Sequence, residues 1–294
     1  MRLSSYCLRC IVNVRLREVI ESKLPEDEKT IASCGLLRYI AKIVEPNPRG
    51  LITYIASLAF RKVKELVRDD DPYADYKIIS EQLAIKASEI VKEKLRHISG
   101  YDKFRTLVVA SINANSIDPG IASYEFRADQ LRELILNDSL AIDHTRDVYE
   151  MIKDIDTIVY LLDNCGESVL DKLLIEELRR LGVHVYAIVK GGAYQNDVTL
   201  KDALRIGLDE VAELVSTESD FSSLIPGTYS KRVSEVIKNA GLVISKGMAH
   251  YETLSELEFE RPIVFLLRAK CGPVAKSLGV KVGDNVAKLV LPIP

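Results

Sequence analysis

The sequence predicts an α/β fold, helical over residues 1–100 and built over residues 101–294 on a parallel sheet covered by helices. Two observations predict it. Before Ser99-Gly100, apolar residues recur at the three-to-four spacing of helices that bury one face. After that point, short β-branched apolar runs alternate with longer amphipathic stretches, as strands joined by crossover helices do.

The elements follow in order. Cys10, Val14, Leu16, Val19 and Ile20 mark a first helix, and Leu83, Ala84, Ala87, Ile90, Val91 and Leu95 mark a later one. Pro25, Pro46, Pro48, Pro72 and the run Asp69-Asp70-Asp71 punctuate the region between. Five apolar runs then read as strands, at 107–110, 157–162, 183–189, 242–244 and 263–267. They are unbroken rather than alternating, which is the pattern of strands buried on both faces. Residues 167–181 read as a helix whose end, Arg179-Arg180-Leu181-Gly182, suits a glycine cap. His184 lies in an apolar strand and reads as a core residue.

Composition narrows the function. Forty basic residues against 43 acidic give a net charge of −3, with no electrostatic footprint for nucleic acid. No apolar run approaches the ~20 residues that span a bilayer, and Met1–Cys7 lacks the apolar stretch of a secretory signal. Five cysteines scattered over 294 residues do not make a disulfide scaffold. The chain therefore reads as a cytoplasmic protein with free thiols.

Chemistry-bearing residues follow every one of the five runs. They are the stretch 111–120 with Asn115, then Asp163-Asn164-Cys165-Gly166-Glu167, then Lys190-Gly191-Gly192 with Asn196-Asp197, then Lys246-Gly247, and last Lys270-Cys271. In a parallel sheet these share the carboxyl edge, where open α/β sheets bind ligands. Asp163, Asn164 and Asp197 offer oxygen donors, which suit a divalent ion such as Mg²⁺ or Mn²⁺. Lys190, Lys246 and Lys270 are cations, and Gly191 and Gly247 let backbone N–H groups approach an anion. A metal beside lysines and glycine loops points to a phosphate group. Neither GxGxxG nor GxxxxGK[ST] occurs, so dinucleotide folds and P-loop kinases have no motif support.

Taken singly, each piece has a plainer use. The stretch 163–167 suits a turn and helix cap, Thr199 and Asp202 a capping box, and 115–120 a turn. Their recurrence on one sheet edge is what argues for a site. Cys7 and Cys10 share a helix face at i, i+3, and with Cys271 they could form a thiol cluster for a metal or a redox pair. A single CxxC is weak support for that, since zinc normally takes four ligands.

The combination resembles the metal-dependent damage-control phosphatases, a family first known as a domain of unknown function and also called acidic-residue-methyltransferase-like. The residues that carry the resemblance are Leu162-Asp163-Asn164-Cys165-Gly166-Glu167, Val189-Lys190-Gly191-Gly192 and Asn196-Asp197-Val198-Thr199. Cys7-Leu8-Arg9-Cys10 and Ala269-Lys270-Cys271 match its cysteine-bearing branch, which includes small archaeal proteins and a domain fused to pantothenate-kinase-like proteins. The resemblance implies an N-terminal helical bundle packed on a three-layer α/β/α sandwich with a mostly parallel sheet. It implies Mn²⁺, Co²⁺, Ni²⁺ or Mg²⁺ held by Asp163, Asn164 and Asp197, with Asn115, Lys190, Gly191, Gly247 and Lys270 near the substrate. Asp163, Asn164 and Lys246 would be catalytic, and the substrates small phosphorylated metabolites such as sugar phosphates or phosphopantetheine.

The chain departs from the family pattern at Ala114, Ala193 and the run Met248-Ala249-His250, where the family carries Gly, Pro and Gln-Gly-Asn. That run is expected to change how its loop meets substrate. Three other functions compete with a phosphatase: a non-catalytic metal- and metabolite-binding module, a carboxyl methyltransferase, and a redox or metal sensor built on Cys7, Cys10 and Cys271. No glycine-rich nucleotide loop follows a first strand, which counts against the methyltransferase.

Overall fold

A computed structural model describes residues 1–116 and 128–292, so the predicted loop at 117–120 lies outside the described residues. Helices α1 (Ser5–Ile20), α2 (Glu26–Val44) and α3 (Ile52–Val67) close over a core of Val19, Leu36, Ile40, Ala59, Phe60 and Val63. The Ser4 hydroxyl caps α1 by accepting from the Cys7 N–H. The buried face of α1 is Cys7, Ile11, Arg15, Glu18 and Val19, whereas Cys10 and Ile20 are exposed. The predicted face was therefore rotated, because two charged residues sit on the side that is buried. Helix α4 (Ala74–Leu95) buries Ala84, Ala87 and Val91 as predicted, and packs on α5 (Gly100–Ala114) and α8 (Ser168–Arg180).

The predicted strand at 107–110 is instead the middle of α5. Every residue from Leu107 to Ala114 is buried, so this half of the helix is enclosed on all sides. A short apolar run carries no periodicity that tells a fully buried helix from a buried strand. Helix α6 (Ala128–Leu136), strand β1 (Ile142–Asp143) and α7 (Thr145–Ile152) follow.

The rest of the chain builds the sheet. Strands β2 (Thr157–Leu161), β3 (His184–Val189), β4 (Glu213–Ser216), β5 (Leu242–Lys246), β6 (Ile263–Arg268) and β7 (Asn285–Val290) join β1 in the order β1-β7-β6-β5-β2-β3-β4. Every pairing is parallel except that of β6 with β7. Successive residues of β2 face opposite layers. Ile158 and Tyr160 enter the core shared with α5 and α8, while Val159 and Leu161 enter the core under α10 (Lys231–Asn239), α11 (Gly247–Leu254) and α12 (Gly272–Leu278). This is the three-layer α/β/α sandwich, with a mostly parallel sheet. His184 is not in the core. It stands exposed at the start of β3, 3.5 Å from Glu213 on the edge strand.

Candidate functional site

Strand β2 has β3 on one side and β5 on the other, so the chain reverses its direction of winding at β2. The loops after the two neighbours diverge there and leave a crevice at the carboxyl edge. Asp163 follows β2, Lys190 follows β3, and Gly247 opens α11 directly after β5. Helix α9 (Leu200–Ile206) begins beyond the β3 loop, with the predicted capping box between Thr199 and Asp202. The β2 and β3 loops are stitched together. Val198 N–H donates to the Asp163 carbonyl at 2.9 Å, Cys165 N–H to the Asn196 carbonyl at 2.8 Å, and Asn164 bridges to Asp197.

This stitching concentrates acid below the crevice. Asp163 Oδ2 accepts from Asn164 Nδ2 at 3.0 Å and from Asn115 Nδ2 at 3.3 Å. Asn115 Nδ2 also donates to Glu167, whose other oxygen accepts the Asn164 N–H at 3.3 Å. Burial pushes the Asp163 carboxyl well above the usual carboxylate range, and neighbouring Asp197 adds to the shift. Burial raises Glu167 and Asp197 in the same direction, against the pull of Lys246 on the first and Lys190 on the second.

The donors fit a divalent cation on two observations. Asp197 Oδ2 is buried without a hydrogen-bond partner, 3.4 Å from the Lys190 ammonium. The carboxyls of Asp163 and Asp197 and the amide of Asn164 supply hard oxygen ligands in a region that disfavours their uncompensated charge. Gly247 makes this packing possible. Its φ is +76°, and a Cβ there would lie 2.0 Å from Asp163 Oδ2.

The remaining predicted residues divide between the mouth and the floor. Lys270 is exposed at the mouth, where its Nζ donates to the Asn115 carbonyl at 2.8 Å. Lys190 is buried and donates to the Ser222 carbonyl at 2.7 Å. The Gly191 N–H is taken up by the Ser219 carbonyl, and a Cβ at Gly191 would lie 2.4 Å from Glu218 Cα, so close backbone packing requires this glycine. Lys246 lies beneath the site, its Nζ at 2.9 Å from both Asp171 Oδ1 and the Ser111 carbonyl and 3.8 Å from Glu167. Although burial alone would lower it, Asp171 and Glu167 raise the Lys246 pKa, so the ammonium is firmly charged.

A pocket of about 390 Å³ opens above these residues, with Asn115, Asn164, Glu167 and Lys270 on its sheet side. Its opposite wall comes from the helical region: Arg17 of α1, Glu21 just after it, Tyr73 before α4, and Tyr76 and Ser80 within α4. Sequence reasoning did not single out this wall, because nothing local ties residues 17–80 to the sheet edge. Glu167 and Asp171 were also passed over as site residues. Their signal was a second and third carboxylate at i+4 and i+8 from Asp163, on one helical face.

Met248, Ala249 and His250 do not line the pocket. His250 is buried between Ser223 Oγ at 3.1 Å and the Leu162 carbonyl at 3.2 Å, and Met248 Sδ accepts from the Lys270 N–H at 3.3 Å, so the departure at this run acts on the end of β2 and on Lys270 from behind the pocket. Cys7 is buried, Cys10 exposed and Cys271 half-buried, and burial followed by the charge of Glu252 raises the thiols of Cys10 and Cys271. Among the described residues, no three His, Cys, Asp or Glu side chains are disposed to hold a metal.

Residues 3–286 match the damage-control phosphatase ARMT1-like domain family. A damage-control phosphatase of Archaeoglobus fulgidus is 32% identical, over 99% of this chain and 100% of its own. A damage-control phosphatase of Pyrococcus horikoshii is 32% identical over 97% of each, and an uncharacterized protein of Methanocaldococcus jannaschii is 31% identical over 97% of this chain and 95% of its own. The crystal structure of a DUF89 family protein from Pyrococcus horikoshii superposes with a TM-score of 0.88, at 32% identity over 98% of both chains.

Proposed function

Because the chain belongs to the ARMT1-like damage-control phosphatase family, we propose that it hydrolyses small phosphorylated metabolites, such as sugar phosphates or phosphopantetheine-like phosphomonoesters, with a divalent metal ion. The observation that carries this reading is the oxygen set of buried Asp163 and Asp197 with half-buried Asn164, whose Asp197 Oδ2 accepts no hydrogen bond, beneath a pocket faced by Lys270. Two relatives named damage-control phosphatases support it.

Asp163, Asn164 and Asp197 would hold the cation, which when bound supplies a Lewis acid that polarises a phosphoryl oxygen. Among the described residues Lys270 Nζ donates one hydrogen bond, so its remaining N–H groups can meet phosphoryl oxygens at the mouth. Glu167 lines the pocket, oriented by Asn115 and the Asn164 N–H, and is the chain's own base for an attacking water. Asp163 Oδ2 already accepts two amide N–H groups and abuts Gly247, which favours water over the Asp163 carboxylate as nucleophile. The water oxygen forms the new bond to phosphorus, the ester oxygen leaves with the old one, and the products are an alcohol and phosphate.

The test is phosphate release from sugar phosphates, phosphopantetheine and an aryl phosphate, each with Mn²⁺, Co²⁺, Ni²⁺, Mg²⁺ or chelator. Release that needs metal and disappears in Asp163→Ala and Asp197→Ala is the expected result. No release by folded, metal-loaded protein would make the chain a binding module instead. Acid quenching during turnover that recovers a phosphorylated enzyme would overturn the water route.

A further inference from the structure

The turn that carries Asp197 has one unusual feature. Asp197 N–H donates to the Tyr194 carbonyl at 3.0 Å, and the second residue of this turn, Gln195, has φ +44°. A left-handed backbone suits glycine and costs a long side chain roughly 1–2 kcal/mol. Such a residue persists only where its surroundings hold it. Here the surroundings come from the helical region more than 100 residues earlier in the chain.

Gln195 Nε2 donates to Glu18 Oε1 at 3.0 Å and lies 3.3 Å from the Tyr73 hydroxyl. Tyr73 donates to the same Glu18 oxygen at 2.8 Å, and Arg15 pairs with it at 3.0 Å. Glu18 is only 5% exposed, and Arg15 lies 4.8 Å from the Phe60 ring centroid. Tyr194, the first residue of the turn, packs edge-on to Phe60 at 5.2 Å. A buried charge is thus aimed out of the bundle at one amide, and that amide sits two residues before Asp197. The turn needs the bundle.

We propose that Glu18 is a positioning residue: through Gln195 it holds the 194–197 turn in its left-handed form and so presents Asp197 toward Asn164 and Asp163. The inference rests on the reading of Asp163, Asn164 and Asp197 as a metal site. It makes the helical region part of the metal-binding machinery as well as a pocket wall. Partners that orient a metal ligand from behind are typically worth about 10- to 100-fold in metal affinity.

The experiment is a Mn²⁺ titration of the full chain, with free Mn²⁺ read by electron paramagnetic resonance and folding checked by melting. Glu18→Ala is expected to weaken Mn²⁺ binding about 10-fold. Adding Gln195→Gly to it should restore most of the loss, because glycine adopts the left-handed turn without a tether. Should Glu18→Ala not fold, Gln195→Ala and Gln195→Gly cut the tether while leaving the Arg15–Glu18 pair whole. The alanine is then expected to bind Mn²⁺ about 10-fold more weakly than the glycine. A merely structural role would lower the melting temperature of Glu18→Ala without moving its Mn²⁺ affinity, and that result overturns the proposal, as does equal binding by the alanine and glycine at 195. A wild type that binds no Mn²⁺ is a separate outcome, removing the metal reading and the positioning role together.

Discussion

Two clusters of buried charge lie close together in this molecule and are opposites. In the first, Lys77 is 1% exposed and its Nζ reaches Asp71 at 3.0 Å and Asp202 at 3.1 Å. Asp202 also accepts from Thr199 and pairs with Arg205 at 2.9 Å. Against the upward push of burial, these partners hold the Asp202 carboxyl below its usual range. In the second, Asp163, Glu167, Asp171 and Asp197 share two buried ammonium groups, Lys190 and Lys246. Burial wins at Asp163, Glu167 and Asp197, and one oxygen each of Asp171 and Asp197 accepts no hydrogen bond. The first cluster balances its acids with Lys77 and Arg205, although Asp71 Oδ1 also accepts no hydrogen bond. The second is short of positive charge, which is what the proposed metal site requires.

The sharpest break between the two is an acid removed from each. Asp163→Ala and Asp197→Ala should lower metal-dependent phosphate release by about 10³-fold or more, since each takes away a ligand. Melting of the metal-free variants should be unchanged or higher, because like charges in a buried site repel. A metal-free melting temperature that drops by several degrees in both would show that these carboxylates hold the fold rather than a cation. Gly247→Ala comes next. Its Cβ would meet Asp163 Oδ2 at 2.0 Å in a backbone at φ +76°, so both Mn²⁺ binding and melting temperature should fall. Retention of Mn²⁺ binding by this variant would mean that Asp163 has room the structure does not show.

Asp202→Ala should do the reverse of the metal-site variants. It leaves Lys77 buried with Asp71 alone and opens the cap of α9, for a loss of about 3 kcal/mol in denaturant unfolding. Mn²⁺ affinity of the folded protein should stay within about threefold of wild type, a range set by ordinary context effects. A loss of Mn²⁺ affinity tenfold or greater would merge the two clusters into one.

What the sequence made legible follows the same physics. Strands β2, β3, β5 and β6 announce themselves because they are buried on both faces, and their runs stay apolar without interruption. Asp163, Asn164 and Asp197 were readable because loops at one sheet edge converge whatever lies between them. Helix α5 was hidden because its second half, Leu107 to Ala114, is buried on all sides. The face of α1 was hidden because Arg15 and Glu18 are buried on it, and binary patterning assigns charge to solvent. Strand β4 and the antiparallel β7 lie toward the margins of the sheet, where Glu213 and Lys288 interrupt the apolar pattern. The pocket wall of Arg17, Tyr73 and Tyr76 is a tertiary fact: no spacing within residues 17–76 encodes what they face.

Glu252 offers the smallest effect and the cleanest control, since it is a half-buried carboxyl outside both clusters. Burial pushes it up to about 7, with only the Met1 ammonium pulling the other way. The thiols of Cys10 and Cys271 and the Tyr194 hydroxyl feel its charge and add no cation. A folded-state pKa raised above the unfolded value near 4.3 means that the folded protein binds the proton more tightly. The carboxyl's contribution is then fully present below about pH 4.3 and is lost as pH rises through about 7. Glu252→Gln keeps the shape and removes the titration. Relative to wild type it should gain about 1–2 kcal/mol at pH 8.5, and the gain should shrink to about a third of that at pH 5. Urea unfolding of both proteins at the two pH values measures this directly. A difference that is the same at pH 5 and 8.5 would show that burial alone does not raise a carboxyl in this fold. The upward shifts at Asp163 and Asp197 would then have to come from their neighbours' negative charge, and a bound cation would relieve more of the site's instability than desolvation accounts for.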